Sequence, residues 1–336
     1  MTTSTVSEQT FTIRPRGAFS LVEAGAFGHG AEPAGDWPGG GAVAGGVLRL
    51  AFCRDGLRGQ VGVALTQDAG GVHGVVGGLS PGEPLDPVRD QVARMLSLDG
   101  DGAAFAEVGE RDPLIGRIMA AAPGLRPVLF ASPWEAALWC VLSQRWGRRQ
   151  SLAARERLAR GFGRVLEVAG EETAAVPTPA QLLAADRLPG LPELKQERLR
   201  AVARAAEAGL LDPAALREGD PDEVRARLRT VPGIGAFAAT LIHLRASGVQ
   251  DALVAGEPRL AALVGAAYGL GGPATEEDLA RIAEPWRPFR TWTAVLIRAA
   301  GRRLPEMAVV PEPVAAARVP RARRPRPEPT PLALIG

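Results

Sequence analysis

The stretch Leu228-Arg-Thr-Val-Pro-Gly-Ile-Gly-Ala-Phe-Ala-Ala-Thr-Leu-Ile242 decides the fold. A helix ends near Thr230, Pro232-Gly-Ile-Gly235 turns the chain within four residues, and a second helix begins at once. Two glycines let the backbone approach another surface closely, and Ile234 plugs the turn into a core. The amides that open the second helix, around Gly235 and Ala236, face outward and suit a phosphate oxygen. Taken alone, such a turn fits an ordinary helical hairpin equally well.

Around this hairpin the sequence is helical from Pro113 onward, punctuated by Pro and Gly. Ser132-Pro133-Trp134-Glu135 opens one buried helix, with Ser as cap, Pro in the first turn and Glu at its third position. Further helices are expected near Ser151–Phe162, Thr178–Ala184, Pro192–Ala208, Pro221–Arg229, Gly235–Ala246, Pro258–Tyr268, Glu276–Ile282 and Phe289–Arg302. The region from about Phe11 to Gly78 reads as strands instead. Val47–Cys53, Gln60–Thr66 and Val72–Val76 are β-rich runs separated by Arg54-Asp-Gly56 and Asp68-Ala-Gly-Gly71. A helix from Pro87 to Leu98, capped by Asp86, follows them. The expected class is α+β: a small β-rich domain over residues 1–112, a helical domain over 113–305, and a disordered Pro/Arg-rich tail over 306–336.

Composition narrows the function. The chain has 336 residues with 46% apolar content, enough for a substantial core, and a formal net charge of only +2. That excludes a polybasic grip on a partner. Five arginines against two glutamates put +3 into residues 311–336, leaving the rest at −1. The tail reads either as a solvated end or as a weak, sequence-blind phosphate contact. Two cysteines, Cys53 and Cys140, fall short of a zinc site, an iron–sulfur cluster or a disulfide framework. Without an apolar run of membrane-spanning length or a signal-peptide form, the expectation is a cytoplasmic protein from a high-GC bacterium, with no membrane partner.

The hairpin resembles the helix-hairpin-helix element of the HhH–GPD superfamily of DNA base-excision glycosylases. The likeness extends well beyond it. Ala283-Glu-Pro-Trp-Arg-Pro-Phe-Arg-Thr-Trp-Thr293 is similar to the helix start that follows the catalytic loop in the alkyladenine-type branch. Ser132–Gln144 resembles that branch's first core helix, and Val176-Pro-Thr-Pro179 with Leu191–Val202 its mid-domain linker and helix. Altogether the resemblance covers about residues 113–303, with a looser match of the β-rich start to the sheet domain of 3-methyladenine glycosylase II. It implies double-stranded DNA carrying a damaged base as partner, a monomeric protein associated with the nucleoid, and base flipping followed by hydrolysis of the N-glycosidic bond of an alkylated, 3-methyladenine-like purine.

The same resemblance assigns residues. In Asp251-Ala-Leu-Val-Ala-Gly-Glu-Pro-Arg-Leu260, the family's catalytic aspartate falls on Glu257, with Val254 in place of a proline and Gly256 in place of a second acid. Pro258 makes Glu257 the cap of the next helix, where the dipole favours an anion. An anion there opposes the positive charge that develops at the sugar C1′. The plainer reading makes Glu257 a helix cap only, and the protein a catalytically inactive DNA-binding or damage-recognition protein. The resemblance further places phosphate contacts at Gly233, Gly235 and Ala236, and a duplex wedge at Arg145 and Trp146, which read otherwise as a surface pair. It puts base-stacking aromatics at Phe237 and Trp292. No cofactor is required; a monovalent cation, Na⁺ or K⁺, is implied on the carbonyls of Val231 and Ile234. Trp134, Trp139 and Trp286 read as core. Bifunctional relatives place a Schiff-base lysine where this chain has Phe237. The chain's single lysine, Lys195, is expected on a solvated helix face, so a lysine-dependent lyase is not expected.

Overall fold

Period-two alternation along the N-terminal strands produces a four-stranded antiparallel sheet. The computed structural model describes residues 9–27, 43–253 and 256–308. Strands β1 (Gln9–Ile13), β2 (Leu48–Cys53), β3 (Gln60–Asp68) and β4 (Gly71–Gly77) lie in the order β1-β4-β3-β2. Leu50 faces Val63 and Phe52 faces Val61 across β2 and β3, so the large side chains share one face. The other face carries Ala51, Gly62 and Ala64, and it too is buried. A second hairpin, β5 (Arg164–Val168) and β6 (Glu171–Ala175), lies on it through Leu166, Val168 and Ala175. A Cβ at Gly62 would stand 2.5 Å from Val168, so small residues on β3 are what admit this hairpin. Arg49 Nε and Arg164 Nη1 tie the two together by donating to the carbonyls of Val168 and Gln60. The expected α+β class holds; β1 begins two residues before the Phe11–Gly78 region read as strands, whereas the β5–β6 hairpin lies outside it.

Two hydrophobic cores divide the helices. One gathers the large-residue face of the sheet, the helices Asp86–Met95, Gly102–Arg111 and Pro113–Ala121, and also the C-terminal helices, through Leu263, Trp286, Ile297 and Met307. The other surrounds the Pro133–Ser143 helix with Arg148–Phe162, Glu193–Glu207, Pro221–Leu228 and Ala236–Ala246. The chain therefore leaves the first body near Ala131, builds the second, and returns after Gln250. The first core runs across residue 112, and a short helix, Pro305–Ala308, continues past the residue where the tail is expected to begin. Residues 309–336, the rest of that tail, lie outside the described residues.

Local signals explain most helix ends. Ser132 accepts the Glu135 amide as expected. Glu135 does not return to the cap: its buried carboxylate accepts the Cys53 amide at 3.0 Å and pairs with Arg155 at 3.2 Å, joining β2 to the helical body. Asp86 is the first residue of its helix rather than the cap, which is Leu85. Both cysteines are buried and free. Among the described residues no helix is long and apolar enough to cross a membrane, and no cluster of His, Cys, Asp and Glu could hold a metal ion.

Candidate nucleic-acid interface and active site

The hairpin at 228–242 is built as its residues require. Amides of Thr230, Val231 and Ile234 donate to the carbonyls of Arg227, Leu228 and Val231, closing the turn on itself. Gly233 takes a left-handed φ of 99°, and a Cβ there would press on the Arg198 side chain at 3.1 Å. Val231 and Ile234 are buried in the helical core. Gly235 caps the Ala236–Ala246 helix without any side-chain hydrogen bond, and a Cβ added to it would meet open space. The first turn is thus left without a side-chain cap at the end where the helix dipole is positive.

Beside it lies the Gln144–Trp146 turn. Gln144 Nε2 donates to the Gly233 carbonyl, and Gln144 Oε1 accepts from Arg198 Nη1 at 2.6 Å. Arg145 is exposed and holds a left-handed φ of 59°, a conformation that costs a non-glycine residue about 1–3 kcal/mol. Trp146, in contrast, packs down: its ring lies 4.3 Å from Lys195 Nζ and against the helical core. Gln144, Arg145, Gly233, Ile234 and Gly235 share one open groove of about 350 Å³.

Glu257 opens the Pro258–Ala267 helix. Its two carboxylate oxygens accept the amides of Arg259 and Leu260 at 3.2 and 2.7 Å, and Arg298 Nε lies 3.2 Å from Oε2. The segment before it is latched to the start of the Arg290–Ala300 helix. Arg290 donates through its backbone N and Nε to Asp251 Oδ1, and Ala252 N donates to Thr291 Oγ1 at 2.9 Å. Val254 lies outside the described residues. The carboxylate is 14% exposed and lines a cavity of about 260 Å³ between the two bodies. A second cavity of about 500 Å³ adjoins it, sharing the walls Phe237, Leu241, Arg245, Val295 and Arg298. Its size falls in the range of about 300–1,000 Å³ that accommodates small organic ligands.

The structure redistributes the aromatics. Phe237 lines both cavities and stands 71% exposed at their rim. Trp292 is a correction: it is 3% exposed and packed edge-on to Phe105, with ring centroids 5.2 Å apart, and it lines neither cavity. The same proline-rich helix start that suggested it buries it against the N-terminal helices. Trp139, expected in the core, lines the larger cavity instead, together with Phe27 and Phe130. Its place on the cavity side of the Pro133–Ser143 helix was not readable, because nearly all faces of that helix are apolar. Trp134 and Trp286 are core, as expected. Lys195 is the second correction. It is 7% exposed, and Nζ donates to the carbonyls of Val141, Leu142 and Gln144, which end the Pro133–Ser143 helix. Burial and the neighbouring Arg198 push its pKa down to about 8.

Comparison with known proteins follows the same line. No family model matches the chain. Over 217 residues it is 31% identical to the probable bifunctional transcriptional activator/DNA repair enzyme AlkA of Mycobacterium tuberculosis, covering 62% of this chain and 42% of that protein. Over 187 residues it is 29% identical to the DNA-3-methyladenine glycosylase 2 of Escherichia coli, covering 54% of this chain and 63% of that one. The chain thus spans less than two thirds of the length of these relatives. Among solved structures, the 3-methyladenine DNA-glycosylase of Archaeoglobus fulgidus shares the fold, with a TM-score of 0.70 and 21% identity over 88% of this chain and 98% of that one. Fold and sequence lead to one likeness: the chain shares the fold of a 3-methyladenine DNA glycosylase and is similar in sequence to the AlkA and DNA-3-methyladenine glycosylase 2 DNA-repair enzymes.

Proposed function

We propose that this protein is a monofunctional DNA N-glycosylase that binds duplex DNA as a monomer, flips a damaged purine into the inter-body cavity and releases the base by hydrolysis. One observation carries the reading: Glu257, a carboxylate held by two helix amides, faces a cavity that opens beside an uncapped helix N-terminus. In this reading the Gly235 and Ala236 amides take one phosphate, and Gly233 permits the close approach. Arg145 enters the gap left by the flipped base while Trp146 anchors the turn beneath it. Phe237 stacks on the base. The Glu257 anion opposes charge at C1′ and orients the attacking water. A monovalent cation would sit on the carbonyls of Val231 and Ile234; the Val231 oxygen accepts one amide and keeps a lone pair for such an ion. Alkylated purines, the class named in the relatives, are the first substrates to test, in repair at the bacterial nucleoid.

The capping geometry also supports a second reading, a damage-binding protein without catalysis, because both Glu257 oxygens already serve its own helix. A base-release assay on duplex treated with a methylating agent separates the two. The expected result is free base and an intact abasic strand, with no protein–DNA adduct trapped by borohydride. Tight binding to damaged duplex without base release favours the second reading.

A further inference from the structure

The cavity that would receive the base is lined by three arginines. Arg245, Arg259 and Arg298 all face the larger space, and Glu257 is the only carboxylate among the described residues that line either cavity. Arg245 is anchored from behind, its Nη2 donating to the Val128 carbonyl at 2.7 Å and its guanidinium lying 5.4 Å from the Phe27 ring. Its Nε is buried and has no hydrogen-bond partner among the described residues. Arg298 is held at the other wall by Glu257. The sequence-level expectation of aromatic faces inviting a cationic base does not account for three arginines in one small cavity.

We infer that, within the glycosylase reading above, this pocket selects neutral damaged purines that present hydrogen-bond acceptors over purines made cationic by alkylation at N3 or N7. The chemistry of departure supports this. In hydrolysis the C1′–N9 bond breaks and its electron pair leaves with the purine. Water supplies the oxygen that bonds C1′ and keeps one proton there; its other proton ends on a neutral purine, or in solvent when the departing purine was cationic. A neutral purine therefore leaves with developing negative charge, which donors fixed around the ring stabilise as it forms. A cationic purine leaves neutral, gains nothing from those donors, and must first enter a cavity that repels it. Glu257 on the sugar side and guanidinium groups on the base side match the charge separation of the harder reaction. The pKa of Arg245 is itself pushed down to about 10 by burial and by Arg298, a sign that the cavity resists additional positive charge.

The test compares duplexes carrying one hypoxanthine or one 7-methylguanine, with each single-turnover rate divided by the uncatalysed loss of that base. The wild type is expected to accelerate hypoxanthine release at least tenfold more than 7-methylguanine release. Arg298→Met, at a partly exposed side chain, is expected to lower that ratio about tenfold, and Arg245→Met likewise where it folds. A greater acceleration for 7-methylguanine, or a ratio unmoved by Arg298→Met while both rates fall together, overturns the inference; the latter outcome assigns Arg298 to a phosphate. Equilibrium binding to the same duplexes with hydrolysis-resistant 2′-fluoro lesion nucleotides keeps the two claims apart. Release of neither base defeats the glycosylase reading, whereas tighter binding of the hypoxanthine duplex, lost in Arg298→Met, still upholds the pocket's preference and equal binding defeats it.

Discussion

Two helix N-termini some twenty residues apart meet the same physical demand in opposite ways. The Ala236–Ala246 helix starts at a glycine with no side chain to offer: no side chain caps its first amides, and a Cβ added at the glycine would meet open space. The Pro258–Ala267 helix starts at Glu257, whose carboxylate takes the amides of Arg259 and Leu260 for itself. Any helix leaves its first amides unpaired and its N-terminus positive, so each start needs an acceptor. Where the chain withholds one, the site is available to an external anion such as a phosphate. Where it supplies one, the anion is fixed in place and directed at the cavity. In the glycosylase reading proposed above, the difference between a binding end and a chemical end comes down to one side chain at each cap.

The comparison breaks most strongly at Glu257. Glu257→Gln retains the shape and some capping but removes the charge, and base release is expected to fall by ~10²–10³ with duplex affinity nearly unchanged. Glu257→Asp shortens the reach by one methylene. Asp caps helices well, so the helix should persist, but contact with Arg298 is lost and the carboxylate retreats from the cavity. Release should therefore be slower than wild type, by about tenfold to a hundredfold. A faster Asp variant would mark Glu257 as a decayed site, and equal release by wild type and Gln would remove Glu257 from the chemistry.

Gly235→Asp sharpens the same contrast by making the open end resemble the closed one. The backbone at Gly235 is extended and the space beyond it is free, so the substitution is expected to fold. The new carboxylate can cap the helix itself, adding a few tenths of a kcal/mol of stability, and it occupies the phosphate position. Duplex binding is expected to weaken about tenfold or more across all sequences, measured by fluorescence anisotropy, while thermal stability holds or rises slightly. In the wild type, a grip made mainly of amides should lose affinity with salt less steeply than a lysine- and arginine-rich binder does. Unchanged affinity in the folded variant would move the DNA contact elsewhere.

The smallest effect on function is expected at Lys195→Met. Nζ closes three carbonyls at the end of the Pro133–Ser143 helix, so its removal leaves buried acceptors unpaired and should cost about 1–3 kcal/mol of stability by denaturant unfolding. Base release per folded molecule should change little, and borohydride should trap an adduct in neither protein. An adduct in the wild type that disappears in this variant would make Lys195 a nucleophile, and with it a third kind of site.

Short-range physics made the hairpin legible from its residues. Pro232, Gly233, Ile234 and Gly235 encode a turn, a plug and an uncapped helix within one stretch, and Ser132-Pro133 and Glu257-Pro258 encode helix starts. The phenylalanine at 237, in place of a lysine, was equally plain. What only the tertiary structure decided concerns side chains whose partners are distant in sequence. Lys195 is buried because the end of another helix lies over it. Trp292 joins the first core because the C-terminal helices return to the sheet, and Trp139 meets the cavity because that return leaves a gap beside its helix. The β5–β6 hairpin was hidden for a related reason: Ala51, Gly62 and Ala64 look like weak strand residues until the hairpin is seen to need their small size. The arginines of the cavity look like any surface arginines in the sequence. A guanidinium acquires its meaning from the dielectric and the charges around it, and those are set by which elements meet across the cleft, not by its neighbours along the chain.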